Sequence, residues 1–146
     1  MLTGQKDLSI DEKGRLVLPT LYRSAFSNGI SYTSYGIDNC IRLYPEESYT
    51  RQATRYMELD DFNVEARKVK RTFLSNTFEV QIDSHNRILL PKPLTDKTGI
   101  VKKVVVVGLG DYLEIWDADT FYEMMEQNEK TYSSDCSLLI GSKNNG

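Results

Sequence analysis

The sequence predicts a mostly β fold with short helices (α+β), arranged as a duplicated, pseudo-symmetric β-core. Three observations carry this. A ten-residue stretch occurs twice, as Ile10-Asp11-Glu12-Lys13-Gly14-Arg15-Leu16-Val17-Leu18-Pro19 and as Ile82-Asp83-Ser84-His85-Asn86-Arg87-Ile88-Leu89-Leu90-Pro91, offset by 72. Around each copy, apolar residues alternate or run in short aliphatic blocks, as strands do. After each copy, Pro19 or Pro91 opens a short helical pattern.

The elements follow in order. Lys6, Leu8 and Ile10 alternate with Asp7, Ser9 and Asp11 as a half-buried strand. The repeated stretch reads as a hairpin. Gly14 and Asn86 are the residue types that most readily take a positive φ, so Lys13-Gly14 and His85-Asn86 can reverse the chain. Asp11 and Asp83 can accept hydrogen bonds from N–H groups inside the turn and so shape it. Leu16–Leu18 returns as a buried strand, and residues 19–27 fit a short helix with Leu21, Tyr22, Ala25 and Phe26 on one face.

Ile30–Tyr35 and Cys40–Tyr44 are strands about a turn at residues 35–39. Pro45 opens a helix striped by Tyr49, Ala53, Tyr56 and Met57. Asn63 caps a second helix carrying Val64, Val69 and Phe73. The pattern then restarts: Phe78, Val80 and Ile82 alternate, the second turn follows, and a helix from Pro91 stops at Gly99. Val104–Val107 aligns with Tyr32–Tyr35, Gly108 with Gly36, and Leu113–Trp116 with Ile41–Tyr44, all at offset 72. Phe121, Met124 and Met125 belong to a closing helix; from about Lys130 the chain turns polar, with Leu138-Leu139-Ile140 the segment expected to dock before a frayed end. The organisation expected is module 1 over 5–47, a helical linker over 48–76, module 2 over 77–119, and a C-terminal helix and flexible tail over 120–146.

Composition narrows the function. The chain has 146 residues, 18 Lys and Arg against 21 Asp and Glu, and a net charge of −3. A diffuse cationic coat is excluded, and any anion-binding face must be local. Cys40 and Cys136 are far apart and there is a single His, so neither a disulfide framework nor a metal site is expected. No cofactor or small-molecule substrate is implied. No Gly-rich phosphate loop or nucleophile motif argues for an enzyme. With no signal-peptide core and no apolar run of membrane-spanning length, a cytoplasmic protein is expected.

The repeated arginine is the feature that turn geometry does not require. Arg15 and Arg87 fit a structural role, paired with Asp11 and Asp83, and a binding role, reaching outward beside Lys13; both are expected to hold. Read alone, His85 is a solvent-facing turn residue, the cluster Arg67, Lys68, Lys70 and Arg71 a solvated helix face, Trp116 core or interface, and Cys40 a buried small hydrophobe.

Asp-x-x-Gly/Asn-Arg followed by three aliphatics and Pro resembles the SpoVT/AbrB-type swapped-hairpin module. Two such modules in register, with Gly36-Ile37-Asp38-Asn39-Cys40, Tyr44-Pro45, Ala66-Arg67 and Leu113-Glu114-Ile115-Trp116, resemble the MraZ family of bacterial transcriptional regulators over residues 5 to about 126. The resemblance implies a duplicated AbrB-like swapped-hairpin barrel with helices after each repeat. It implies double-stranded DNA as partner, bound at short direct repeats upstream of the protein's own division and cell-wall operon. It also implies a ring-like homo-oligomer and a nucleoid location. The DNA-binding residues implied are Lys13 and Arg15 in the first loop, and Arg87 with His85 and Asn86 in the second. Where the family commonly has Lys-Gln-Gly, this chain has Ser84-His85-Asn86, one cation fewer. The competing classes are an oligomeric protein-interaction scaffold and an AbrB-type antitoxin-like autoregulator.

Overall fold

The computed structural model describes residues 1–145, and the side chains through residue 141. Eight strands and four α-helices follow one another: β1 (Gln5–Ser9), β2 (Arg15–Val17), a 3-10 helix (Thr20–Phe26), β3 (Ile30–Tyr35), β4 (Ile41–Pro45), α1 (Glu46–Met57), α2 (Val64–Ser75), β5 (Phe78–Gln81), β6 (Arg87–Leu89), α3 (Lys92–Thr98), β7 (Lys103–Gly108), β8 (Leu113–Asp117) and α4 (Ala118–Asn145). The class is the expected α+β, dominated by an antiparallel sheet.

That sheet has six strands in the order β1-β7-β8-β4-β3-β5, and β2 pairs with β6 in a separate ribbon. Exchanging each strand with its mate four places along the chain gives the same order read from the opposite edge, so the two sequence copies are related by an internal pseudo-twofold. The axis passes between β4 and β8, where Arg42 stands directly opposite its own mate, Glu114. The outer strands are exchanged: β1 pairs with β7 of the second copy, and β5 with β3 of the first.

This exchange corrects the hairpin reading. Asp11 N donates to Arg15 O at 2.9 Å and Asp83 N to Arg87 O at 3.0 Å, which closes each turn. Beyond those bonds the two arms part. β1 joins the large sheet, while β2 crosses to β6 with Leu16 opposite Ile88. The chain turns where a hairpin would, but the hydrogen-bond partners come from the other copy.

The ribbon lies over one face of the sheet. Leu16 and Ile88 are fully buried there, with Leu18 and Leu90, against Ile41, Leu43, Val104, Val106, Leu113 and Ile115. Strand alternation sends Val105 and Trp116 to the opposite face, where they pack with Cys40 and Phe121 under the start of α4. The helices form where the sequence signals place them. The Asn63 side chain accepts from Ala66 N at 2.9 Å and so caps α2. Gly99 ends α3 with a left-handed φ of 71°. Tyr49 stacks on Tyr32 and Tyr56 on Phe73, which fixes α1 and α2 over the β3–β4 side.

Four sequence expectations differ in detail. β7 lies one residue further along than an offset of 72 predicts. Gly108 faces Leu113 whereas Tyr35 faces Ile41, because the second β-turn is one residue shorter and the connection before β7 one longer. Gly108 is thus not Gly36's equivalent: a Cβ on Gly108 would strike the backbone of Leu2 and Thr3, and one on Gly36 would meet Cys40. Leu21 and Ala25 are exposed, since the 3-10 helix buries only Tyr22 and Phe26. Met57, Val64 and Val69 are also exposed, because aromatic stacking narrows the contact of α1 and α2. Finally, α4 does not stop near Lys130 but continues to Asn145, with Leu138, Leu139 and Ile140 facing solvent rather than docked; residue 146, the end of the expected tail, lies outside the described residues. No helix among the described residues is long and apolar enough to cross a membrane.

Truncating Leu16 opens a hole beneath the ribbon, where no solvent reaches. Leu16→Ala is expected to lower unfolding stability by about 2–5 kcal/mol, seen as a lower urea midpoint at unchanged slope. A loss below about 1 kcal/mol would show that the ribbon is not packed into the core.

Candidate functional site

The two repeated turns meet at the ribbon. Each turn is built around its aspartate. Asp11 Oδ1 accepts from the backbone N–H groups of Lys13 and Arg15 at 3.0 and 2.9 Å, and Oδ2 accepts from Arg15 Nε at 2.6 Å. Asp83 repeats this with the N–H groups of His85 and Arg87 at 2.8 and 2.9 Å, and with Arg87 Nε at 2.8 Å. Gly14 and Asn86 take the expected positive φ, 83° and 59°. Each carboxylate therefore fixes the backbone and the arginine of its own turn at once.

The arginines are held by one edge only. Nε points back to the aspartate, and among the described residues the terminal Nη atoms of Arg15 and Arg87 have no hydrogen-bonding side chain or carbonyl. Their side chains are 29% and 30% exposed, so the planar outer edge remains open while its orientation is fixed. Holding the guanidinium in place lowers the rotamer entropy lost when that edge binds an anion.

The turns are also tied to one another. Leu18 N donates to Asn86 O at 2.8 Å, and Leu90 N donates to Gly14 O at 3.0 Å. The ribbon places Arg15 opposite Leu89 and Arg87 opposite Val17. Val17 and Leu89 are half exposed, so the outer face carries two arginines flanking a small apolar strip. All five residues named from sequence, Lys13, Arg15, His85, Asn86 and Arg87, thus lie on two adjoining turns, with Asp11, Gly14 and Asp83 shaping them. His85 is exposed, its Nδ1 3.4 Å from Ser84 Oγ.

The electrostatics follow from the hydrogen bonds. The backbone N–H of Arg15, more than its side chain, holds the Asp11 carboxyl below the usual carboxylate range against the opposing effect of burial. In the second turn the N–H of Arg87, then its guanidinium and the N–H of His85, hold Asp83 down to about 2. Both aspartates stay ionised at neutral pH, and each offsets one arginine.

Other sequence candidates fall elsewhere. Lys70 Nζ bridges to Asp61 at 2.6 Å and Arg67 Nη1 donates to Asp61 O at 2.8 Å, so half of the basic cluster on α2 secures the α1–α2 connection. Trp116 and Cys40 are buried, and burial pushes the Cys40 thiol up. Among the described residues, no group of three or more His, Cys, Asp or Glu side chains is gathered to hold a metal.

The architecture of two interlocked Asp-x-x-x-Arg turns coincides with a family repeat. The family model described as "MraZ protein, putative antitoxin-like" matches twice, over residues 1–72 and 73–137. The chain belongs to the MraZ family. Its curated relatives include the transcriptional regulator MraZ of Rhodococcus jostii, 35% identical over 141 residues, or 97% of this chain and 98% of the relative. The transcriptional regulator MraZ of Mycoplasmoides gallisepticum is 32% identical over 128 residues, 88% of this chain and 89% of that one. That of Thioalkalivibrio sulfidiphilus is 32% identical over 130 residues, 87% of each. The boundary between the two MraZ matches falls within α2, ahead of β5, so each match spans one copy of the strand pattern.

Lys102 and Lys103 are not singled out by the sequence. They sit at the start of β7, beside Ser9 and Ile10 at the base of the first turn. Neither lies in a repeated motif, and only the exchange of β1 into the second copy brings them there.

The carboxylate–backbone bonds make the second turn sensitive to acid. The folded pKa of Asp83 lies below its ordinary 3.8, so its stabilising contribution is complete above about pH 4 and is lost as pH falls toward about 2. Asp83→Asn, which cannot titrate, is expected to lose less melting temperature than the wild type between pH 6 and pH 2. Parallel losses for the two proteins would show that the turn is not held by an ionised Asp83.

Proposed function

We propose that this protein is a sequence-specific, DNA-binding transcriptional regulator that docks its β2–β6 ribbon and the two flanking turns on double-stranded DNA. The observation that carries this reading is the pair of arginines fixed through Nε with their outer edges free. A guanidinium presented in this way forms a bidentate pair with the O6 and N7 of guanine or with a phosphate, whereas Lys13 serves as a point charge on phosphate. The names of the relatives, transcriptional regulators over nearly the whole chain, agree with it. A DNA partner places the protein in the cytoplasm, on the nucleoid. His85 and Asn86 supply polar contacts in the second turn, weaker than those of the first.

Few contacts per chain demand many chains. Lys13, Arg15 and Arg87 release too few counterions for tight binding by themselves. A ring-like homo-oligomer that presents several ribbons along one duplex makes each later contact effectively intramolecular. Short direct repeats in the promoter of the protein's own operon suit such an array, because translation along the duplex brings identical sites under identical loops.

Arg15→Ala is expected to abolish specific binding while leaving the melting temperature nearly unchanged. A variant that melts earlier yet shifts the promoter fragment normally would give Arg15 a structural role alone. In a mobility-shift titration, a fragment with several repeats is expected to bind far more tightly than one with a single repeat, and the difference should shrink with salt. Equal affinity for both fragments would remove the multivalent mechanism.

A further inference from the structure

The two turns are alike in their backbone and unlike at their base. Ile10 N donates to Lys102 O at 2.9 Å, continuing the β1–β7 register, so Ile10 and Lys102 are cross-strand neighbours. The pseudo-symmetric bond runs from Ile82 N to Gly29 O, also 2.9 Å. The residue opposite the base of the first turn is therefore a lysine, and that opposite the base of the second has no side chain. One position further on, Lys103 faces Ser9, whereas its mate Ile30 faces Gln81.

Directly opposed residues of an antiparallel pair share a face of the sheet. Ile10 belongs to the core covered by the ribbon, so Lys102 stands on the ribbon's side, at the edge where the first turn emerges. Its side chain is exposed and, among the described residues, is engaged in no ion pair. The local charge differs accordingly. On the ribbon's side, the first turn and its base hold Lys13, Arg15 and Lys102 against Asp11 and Glu12; the second turn holds Arg87 against Asp83.

From this we infer that Lys102 is a phosphate-anchoring residue of the first turn, and that together with Lys13, whose counterpart is His85, it breaks the near-twofold equivalence of the Arg15–Arg87 pair. The inference rests on the DNA-binding reading. Arg15 and Arg87 alone would present nearly the same edge in either of two opposed orientations. A cation at one base only gives the face a polarity, with the first turn seated on the backbone and the whole protomer set in one direction along the duplex. A direct repeat, unlike a palindrome, requires that each protomer point the same way. Lys102 acts on phosphate, so it adds affinity and direction without reading bases.

The test compares Lys102→Gln with the wild-type protein on a repeat-bearing duplex and on a scrambled duplex of equal length, across a salt series. The expected result is weaker binding to both duplexes by a similar factor, and a salt slope shallower by about 0.9 for each engaged copy. Lys130→Gln, on α4 away from the turns, should leave the slope unchanged, and both variants should melt like the wild type. An unchanged slope for Lys102→Gln, or a loss confined to the repeat-bearing duplex with the scrambled duplex bound as by the wild type, would overturn the assignment. If the wild-type protein binds neither duplex, the DNA reading itself falls and this inference with it.

Discussion

The fold depends on strand exchange between the two copies of one sequence motif. β2 is three residues long and β1 is an outer strand, and each finds its hydrogen-bond partners in the other half of the chain. An unpaired backbone group in a buried position costs about 1–3 kcal/mol, so neither half can close its own ladder without that cost. Interleaving satisfies both ladders together and brings Leu16, Leu18, Ile88 and Leu90 into one apolar layer. Bonding and burial therefore require the same pairing.

The turns take their rigidity from this arrangement. Each aspartate closes its own turn, but the carbonyls of Gly14 and Asn86 are bound by the strand that leaves the other turn. A displacement of one turn is carried to its neighbour through two hydrogen bonds. The arginines inherit that fixed frame: Asp11 and Asp83 aim them, and the ribbon spaces them. An acidic protein thus gathers Lys13, Arg15 and Arg87 on one side, while the carboxylates of α4 lie on the helix whose start covers the opposite side of the sheet.

Much of this was legible in the sequence. The strands, the Asx-closed turns, the positive φ of Gly14 and Asn86 and the Asn63 cap all follow from local chemistry, where residue type and backbone geometry are tightly linked. The residues of the two turns stand out as candidates because they fall in the repeat. Partner choice was not legible in local chemistry; only the resemblance to a swapped-hairpin module implied an exchange. Nothing local distinguishes β1 folding back on β2 from β1 joining β7, since both bury Leu8 and Ile10. The same ignorance hid Lys102, whose proximity to the first turn is a property of long-range pairing. The one-residue shift of β7 was hidden too, because Val104–Val107 is uniform enough to align at either offset.

Arg42 and Glu114 break the internal symmetry at its axis. They occupy the same place in the two copies and face one another across the axis, the guanidinium 4.0 Å from the carboxylate and stacked over Tyr112. Two separate, identical half-length chains assembled in this way would set like charge against like at that point, which directly opposed strand positions do not tolerate well. Joining the copies into one polypeptide frees each side of the axis to change independently. The opposed pair has become a marker of that freedom: it rewards the present pairing of unlike halves and penalises the assembly of two first halves or two second halves.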